Sequence, residues 1–138
     1  MILLDTHVLV WLVAAVSRLG ELARNRIQEA WEHGEVAVSA FTFWELAQLR
    51  AAGRLELSQP LQALRQRLVA DGLVSVPVDD EIALRSVELG DEGFHGDPAD
   101  RIIVATAIVG GFRLATADRE IAAWGDRSSL VTLLDPRV

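Results

Sequence analysis

The chain has 138 residues, of which 51% are hydrophobic and none is cysteine, and its formal net charge is −7. That length allows one domain with a real core and is too short for two, and the composition excludes a disordered chain. The missing thiols exclude disulfides and thiolate metal centres, while the charge excludes a broad basic surface for nucleic acid but not contact with phosphate through a bound cation.

All 13 basic residues are arginine. Arginine suits forked contacts to phosphate or carboxylate, although a compositional bias of the source gives the same result. The longest apolar run, Val8 to Val16, falls short of the ~20 residues that span a membrane. Asp5 interrupts any signal-like segment at the N-terminus, so a soluble, cytoplasmic protein is expected.

Met1 to Leu4 is a short apolar strand signal ending at Asp5-Thr6, and Val8, Leu9, Leu12 and Val13 give the spacing of a short helix. A polar helical segment is expected from about Ser17 to His33, followed by a second strand over Val36 to Val38. Phe41 to about Ala52 is helical, with Phe41, Trp44 and Leu49 as its apolar positions and Gly53 as its stop. Ser58 with Pro60 opens a helix to about Asp71. Leu73 to Val78 is a third strand, whose Pro77 prefers a sheet edge or a strand end. Asp79 or Asp80 caps a helix to about Leu89, and an acidic, glycine-rich loop runs from Gly90 to Gly96.

The next stretch organises the chain. Asp97 can cap a helix, Pro98 suits its first position, and Gly110-Gly111 suits its end. Between them Ile102 to Val109 is apolar except for Thr106, as in a helix buried all round. Phe112 to Thr116 is a fourth strand, Asp118 to about Trp124 a short helix, and Leu130 to Leu134 a fifth strand. Strands alternate with helices throughout, which predicts one α/β domain over residues 1–138, with a largely parallel sheet of about five strands and helices on both faces.

Four acids fall at equivalent places in this pattern. Asp5 ends the first strand, Glu45 lies early in the helix after the second, Asp100 starts the buried helix, and Asp118 follows the fourth strand. Ligands of open α/β sheets bind outside the carboxyl ends of the strands, so three of these acids share one rim, and Asp100 joins them if its helix starts there. Carboxylates gathered in this way resist ionisation unless a cation sits among them, and oxygen-only ligation suits Mg²⁺ or Mn²⁺.

Each acid also has a plain structural reading. Thr42 and Glu45 have capping-box spacing, Asp97 before Pro98 is a cap, Asp100 gains from the helix dipole, and Asp118 can simply begin its helix. Asp5 has no capping duty as plain as these. Thr6 and Thr116 stand beside Asp5 and Asp118, where they could orient a ligand, and Arg101 could pair with a carboxylate or meet phosphate. His7 and His95 could touch a substrate or be partly exposed structural residues. The four tryptophans, Trp11, Trp31, Trp44 and Trp124, are expected to pack helices rather than stack on bases.

The start Leu-Leu-Asp5-Thr-His-Val-Leu-Val-Trp, the segment Val-Ser-Ala-x-x-x-x-Glu45, Asp97-Pro-Ala-Asp100-Arg-Ile-Ile-Val-Ala-Thr-Ala and Thr116-Ala-Asp118 together resemble a PIN-domain ribonuclease of the VapC toxin type. The resemblance covers essentially the whole chain, in order. It implies a three-layer α/β/α sandwich and a Mg²⁺- or Mn²⁺-dependent endoribonuclease that cleaves RNA phosphodiester bonds with a metal-activated water. It further implies inhibition by a small VapB-type antitoxin, whose tail lies across the active groove, and a homodimer. Position by position, Asp5, Glu45, Asp100 and Asp118 fall on the family's catalytic, metal-binding quartet, Asp97 on a further acid and Thr116 on a hydroxyl near the metal. The segment Ala14-Ala15-Val16 is more apolar than the family pattern.

Two rival readings compete with this one. A phosphoryl-accepting receiver or an aspartate phosphohydrolase usually needs a lysine near its site, and this chain has none; the phosphohydrolase also wants an aspartate where His7 stands. A non-catalytic interaction module is the other rival, and the presence of all four acids argues against it.

Overall fold

The computed structural model describes residues 1–14 and 18–138. Five strands, β1 (Ile2–Leu4), β2 (Val36–Ser39), β3 (Val74–Val76), β4 (Arg113–Ala115) and β5 (Leu133–Leu134), pair in the order β3-β2-β1-β4-β5. Every pairing is parallel, with Leu3 opposite Ala37 on one side and Leu114 on the other. Successive side chains of a strand point to opposite faces. Leu4, Val36 and Val38 therefore enter one core and Leu3 and Ala37 the other, all of them wholly buried.

The first face is covered by α1 (Thr6–Val13), α2 (Glu21–Glu32), α3 (Ala40–Ala51) and α4 (Leu61–Ala70), the second by α5 (Asp80–Glu88), α6 (Pro98–Gly110) and α7 (Arg119–Ser128). The result is the three-layer α/β/α sandwich that the alternation predicts, with β3, the strand followed by Pro77, at one edge.

Helix ends show where local chemistry prevailed. α4 starts at Leu61 rather than near Ser58, because a residue that precedes proline, here Gln59, is pushed out of helical geometry. Residues 15–17, and so the course of Ala15 and Val16, lie outside the described residues, but Arg18 to Gly20 are not helical: α2 starts at Glu21 rather than near Ser17, with extended Gly20 as its N-cap, and buries Ala23 and Ile27. Trp124 and Trp31 pack as expected, their indole N–H groups donating to the carbonyls of Glu92 (3.0 Å) and Asp71 (2.8 Å). Trp44 does not: it is 53% exposed and stacks on Phe41, with ring centroids 4.9 Å apart.

The loop before α6 is held at three points. Arg85 of α5 forms a forked ion pair with Glu92, the Trp124 indole holds the Glu92 carbonyl, and buried Phe94 packs against the Trp124 ring. Asp97 thus arrives at the head of α6 from an anchored loop. α6 ends as expected at Gly111, whose φ of 66° is left-handed and suits glycine.

Candidate functional site

A helix that crosses between parallel strands runs antiparallel to them. α6 enters β4 at that strand's amino end, so its own start lies at the carboxyl edge of the sheet. Asp5 and Asp118 follow β1 and β4, the strands between which the sheet order switches direction, and that is where open α/β sheets hold ligands.

Asp5 is buried at the end of β1. Its Oδ1 accepts the Thr6 N–H at 2.8 Å and its Oδ2 accepts the Thr116 hydroxyl at 2.6 Å. Asp5, whose capping duty is less plain in the sequence than those of the other acids, thus caps α1. Burial raises its pKa above the ordinary carboxylate value, against the opposing pull of Thr116, Thr6 and the His7 charge. Thr116 in turn accepts the Asp118 N–H at 3.1 Å, so one hydroxyl orders both acids.

Glu45 does not cap its helix. Ser39 performs that duty for α3, accepting the Phe41 N–H at 3.1 Å, while Thr42 is buried inside the helix. The Glu45 side chain instead turns toward α1, where Oε1 accepts the Thr6 hydroxyl at 2.6 Å. Because that hydroxyl has one hydrogen, the 3.0 Å contact between Thr6 and Thr42 is donated by Thr42. This relay from Thr42 through Thr6 to Glu45 is invisible in sequence, where Thr42 is read only as a capping partner. Burial and the nearby charges of Asp5 and Asp97 raise the Glu45 pKa.

At the mouth of α6, Asp97 Oδ1 accepts the Asp100 N–H at 2.8 Å and is the N-cap. Asp100 itself is half-buried, and its pKa is pushed up to about 7, first by burial and then by the charges of Asp97, Asp118, Asp5 and Glu45. Asp100 thus feels each of the other three acids. Asp118 caps α7 through the Ile121 N–H at 3.0 Å. Arg101 pairs with no carboxylate among the described residues, and its Nε is buried without a hydrogen-bond partner.

The four acids thus share a rim, yet among the described residues no three Asp, Glu or His groups stand arranged to hold a metal ion. Their chemistry fits a hard divalent cation: the donors are all carboxylate oxygen, and three of the four have raised pKa values that a cation would lower.

This three-layer α/β/α chain, with acids from four elements along the carboxyl edge of its sheet, is matched over residues 2–126 by the PIN-domain family model. The chain belongs to that family and to its VapC branch. It is 40% identical over 120 residues to ribonuclease VapC22 of Mycobacterium tuberculosis, an alignment covering 87% of this chain and 88% of that protein. Among solved structures, a toxin–antitoxin complex from Klebsiella pneumoniae matches at 25% identity over 99% of this chain and 98% of that one, with a TM-score of 0.67. VapBC2 of Rickettsia felis, bound to a promoter DNA fragment, shares the fold at 17% identity over 97% and 98% of the two chains, also with a TM-score of 0.67. No helix among the described residues is long and apolar enough to cross a membrane.

Proposed function

We propose that residues 1–138 form one PIN domain acting as a divalent-metal-dependent endoribonuclease, the toxin of a VapBC-type pair. The observation that carries this reading is the convergence of four acids, supplied by four elements, on the switch-point edge of a parallel sheet, where Asp100 feels the charges of the other three. Asp5, Glu45, Asp100 and Asp118 would hold Mg²⁺ or Mn²⁺. When bound, the ion supplies charge for a phosphoryl oxygen and lowers the pKa of water.

The chain's own groups set the geometry. Thr116 and the Thr6 N–H fix the two oxygens of Asp5, Thr116 also holds the backbone of Asp118, and Thr6 fixes Glu45. Asp97 is the cap of α6 and adds negative charge beside Asp100. We assign Arg101, which has no carboxylate partner among the described residues, to neutralising phosphate. Hydrolysis adds a water oxygen to phosphorus, breaks a P–O ester bond and passes the water's proton to the departing oxygen.

A VapB-type antitoxin partner follows from the family and from the complexes that share the fold. A homodimer and a cytoplasmic location belong to the same reading; the exposed Trp44, stacked on Phe41, is apolar surface that a second copy would cover. The test is RNA cleavage by the wild-type chain with Mn²⁺, with EDTA, and by Asp5→Asn. Cleavage is expected only in the first case. Metal-independent cleavage, or full activity of the variant, would overturn the mechanism.

A further inference from the structure

A second feature adjoins the acid cluster. Glu45, Gln48, Leu49 and Ala52 lie at i, i+3, i+4 and i+7, one face along and just past α3, and they line a groove of ≈ 300 Å³ that begins at Thr6 and His7 and ends at Arg54. Glu45 of the acid quartet is at one end of this helix face, and Arg54 follows its other end. Arg54 is set there by the end of its helix. Gly53, with φ +71°, takes the left-handed position, the Gly53 N–H donates to the Arg50 carbonyl at 3.0 Å, and the Arg54 N–H donates back to Leu49 at 2.8 Å. These two bonds form a Schellman closure, which fixes where the side chain leaves the backbone. Among the described residues the Arg54 guanidinium makes no ion pair, although the chain as a whole carries a net charge of −7.

We propose that this groove is the track of the RNA strand next to the cleaved bond, and that Arg54 binds a backbone phosphate there. The inference rests on the hydrolase reading above and adds to it a positioning residue that stands outside the acid cluster. Three facts favour a nucleic-acid strand over other occupants. The groove is lined by Glu45; its one arginine follows the far end of the helix face, away from Glu45; and it offers Gln48, a side chain that can donate and accept, beside apolar Leu49 and Ala52. A forked guanidinium matches a phosphate's paired oxygens. Arg54 therefore anchors the strand without taking part in bond breaking.

The test uses the full-length chain with Mn²⁺ and two substrates, a single-stranded oligoribonucleotide and bis(p-nitrophenyl) phosphate, which is too small to reach Arg54. Arg54→Ala is expected to raise KM for the oligoribonucleotide roughly tenfold and leave kcat within about twofold, with turnover of the small diester unchanged and Arg54→Lys intermediate. With Asp5→Asn as the background, the dependence of log Kd on log salt should lose about 0.7 of its slope when Arg54 is also replaced. An unchanged KM together with an unchanged salt slope overturns the inference and leaves the hydrolase reading standing. A loss of activity on the small diester equal to the loss on RNA also overturns it, since the residue would then be acting on the reacting site or on folding. If the wild-type chain cleaves neither substrate, the hydrolase reading fails and this inference fails with it.

Discussion

Replacing Asp100 by asparagine should make the metal-free protein more stable, although it removes a charge from the favourable end of a helix. In the folded chain the Asp100 pKa is pushed up from 3.8 to about 7. The native state therefore holds a proton that the unfolded chain releases, and the resulting stability is fully present below pH 3.8 and is lost as pH rises to about 7. A shift of about three units corresponds to at most ~4 kcal/mol, and screening of a half-buried group reduces that to roughly 1–2 kcal/mol. Loss of the helix-dipole contact takes back about 0.5 kcal/mol. In EDTA at pH 8, Asp100→Asn should melt roughly 2–5 °C above wild type, and the two should converge near pH 4. Mn²⁺ should raise the melting temperature of the wild type and do so less for the variant. A variant less stable than wild type at pH 8, or a gain independent of pH, would refute the electrostatic reasoning.

Thr116→Val leaves the Asp5 carboxylate and the Asp118 N–H without their shared hydroxyl, so it should cost about 1–3 kcal/mol in urea unfolding, while Thr116→Ser keeps most of the stability. Thr6→Val should weaken Mn²⁺ binding, read by calorimetry, because Glu45 loses the hydroxyl that aims it. Asp97→Asn should keep the cap of α6 and stay within about 0.5 kcal/mol of wild type, whereas Asp97→Ala should lose about 1 kcal/mol. Gly111→Ala, at a φ of 66°, should cost about 1–2 kcal/mol without changing the response to Mn²⁺.

The pattern of elements was legible because it rests on short-range rules. Asp97-Pro98 and Gly110-Gly111 mark the ends of α6 by chemistry that acts within one turn, and apolar runs buried on both faces announce a parallel sheet. The acids at strand ends follow from the same pattern, since a parallel sheet delivers every strand end to one edge. Glu45 shows the limit of this reading. Its spacing from Thr42 fits a capping box as well as a site, and the choice depends on Thr6, 39 residues away in the chain.

What the sequence by itself determined is therefore the order of strands and helices, the buried character of α6 and the candidate acids. Capping, periodicity and composition are local, and they survive without coordinates. Tertiary structure decided which hydroxyl serves which acid: Thr116 joins Asp5 to Asp118 across 111 residues of chain, and Thr42 acts through Thr6 on Glu45. It also decided that Asp100 resists ionisation, with a pKa pushed up to about 7. Burial and the summed field of distant charges set that value, and both exist only after the sheet has brought β1, β4, α3 and α6 to a common edge.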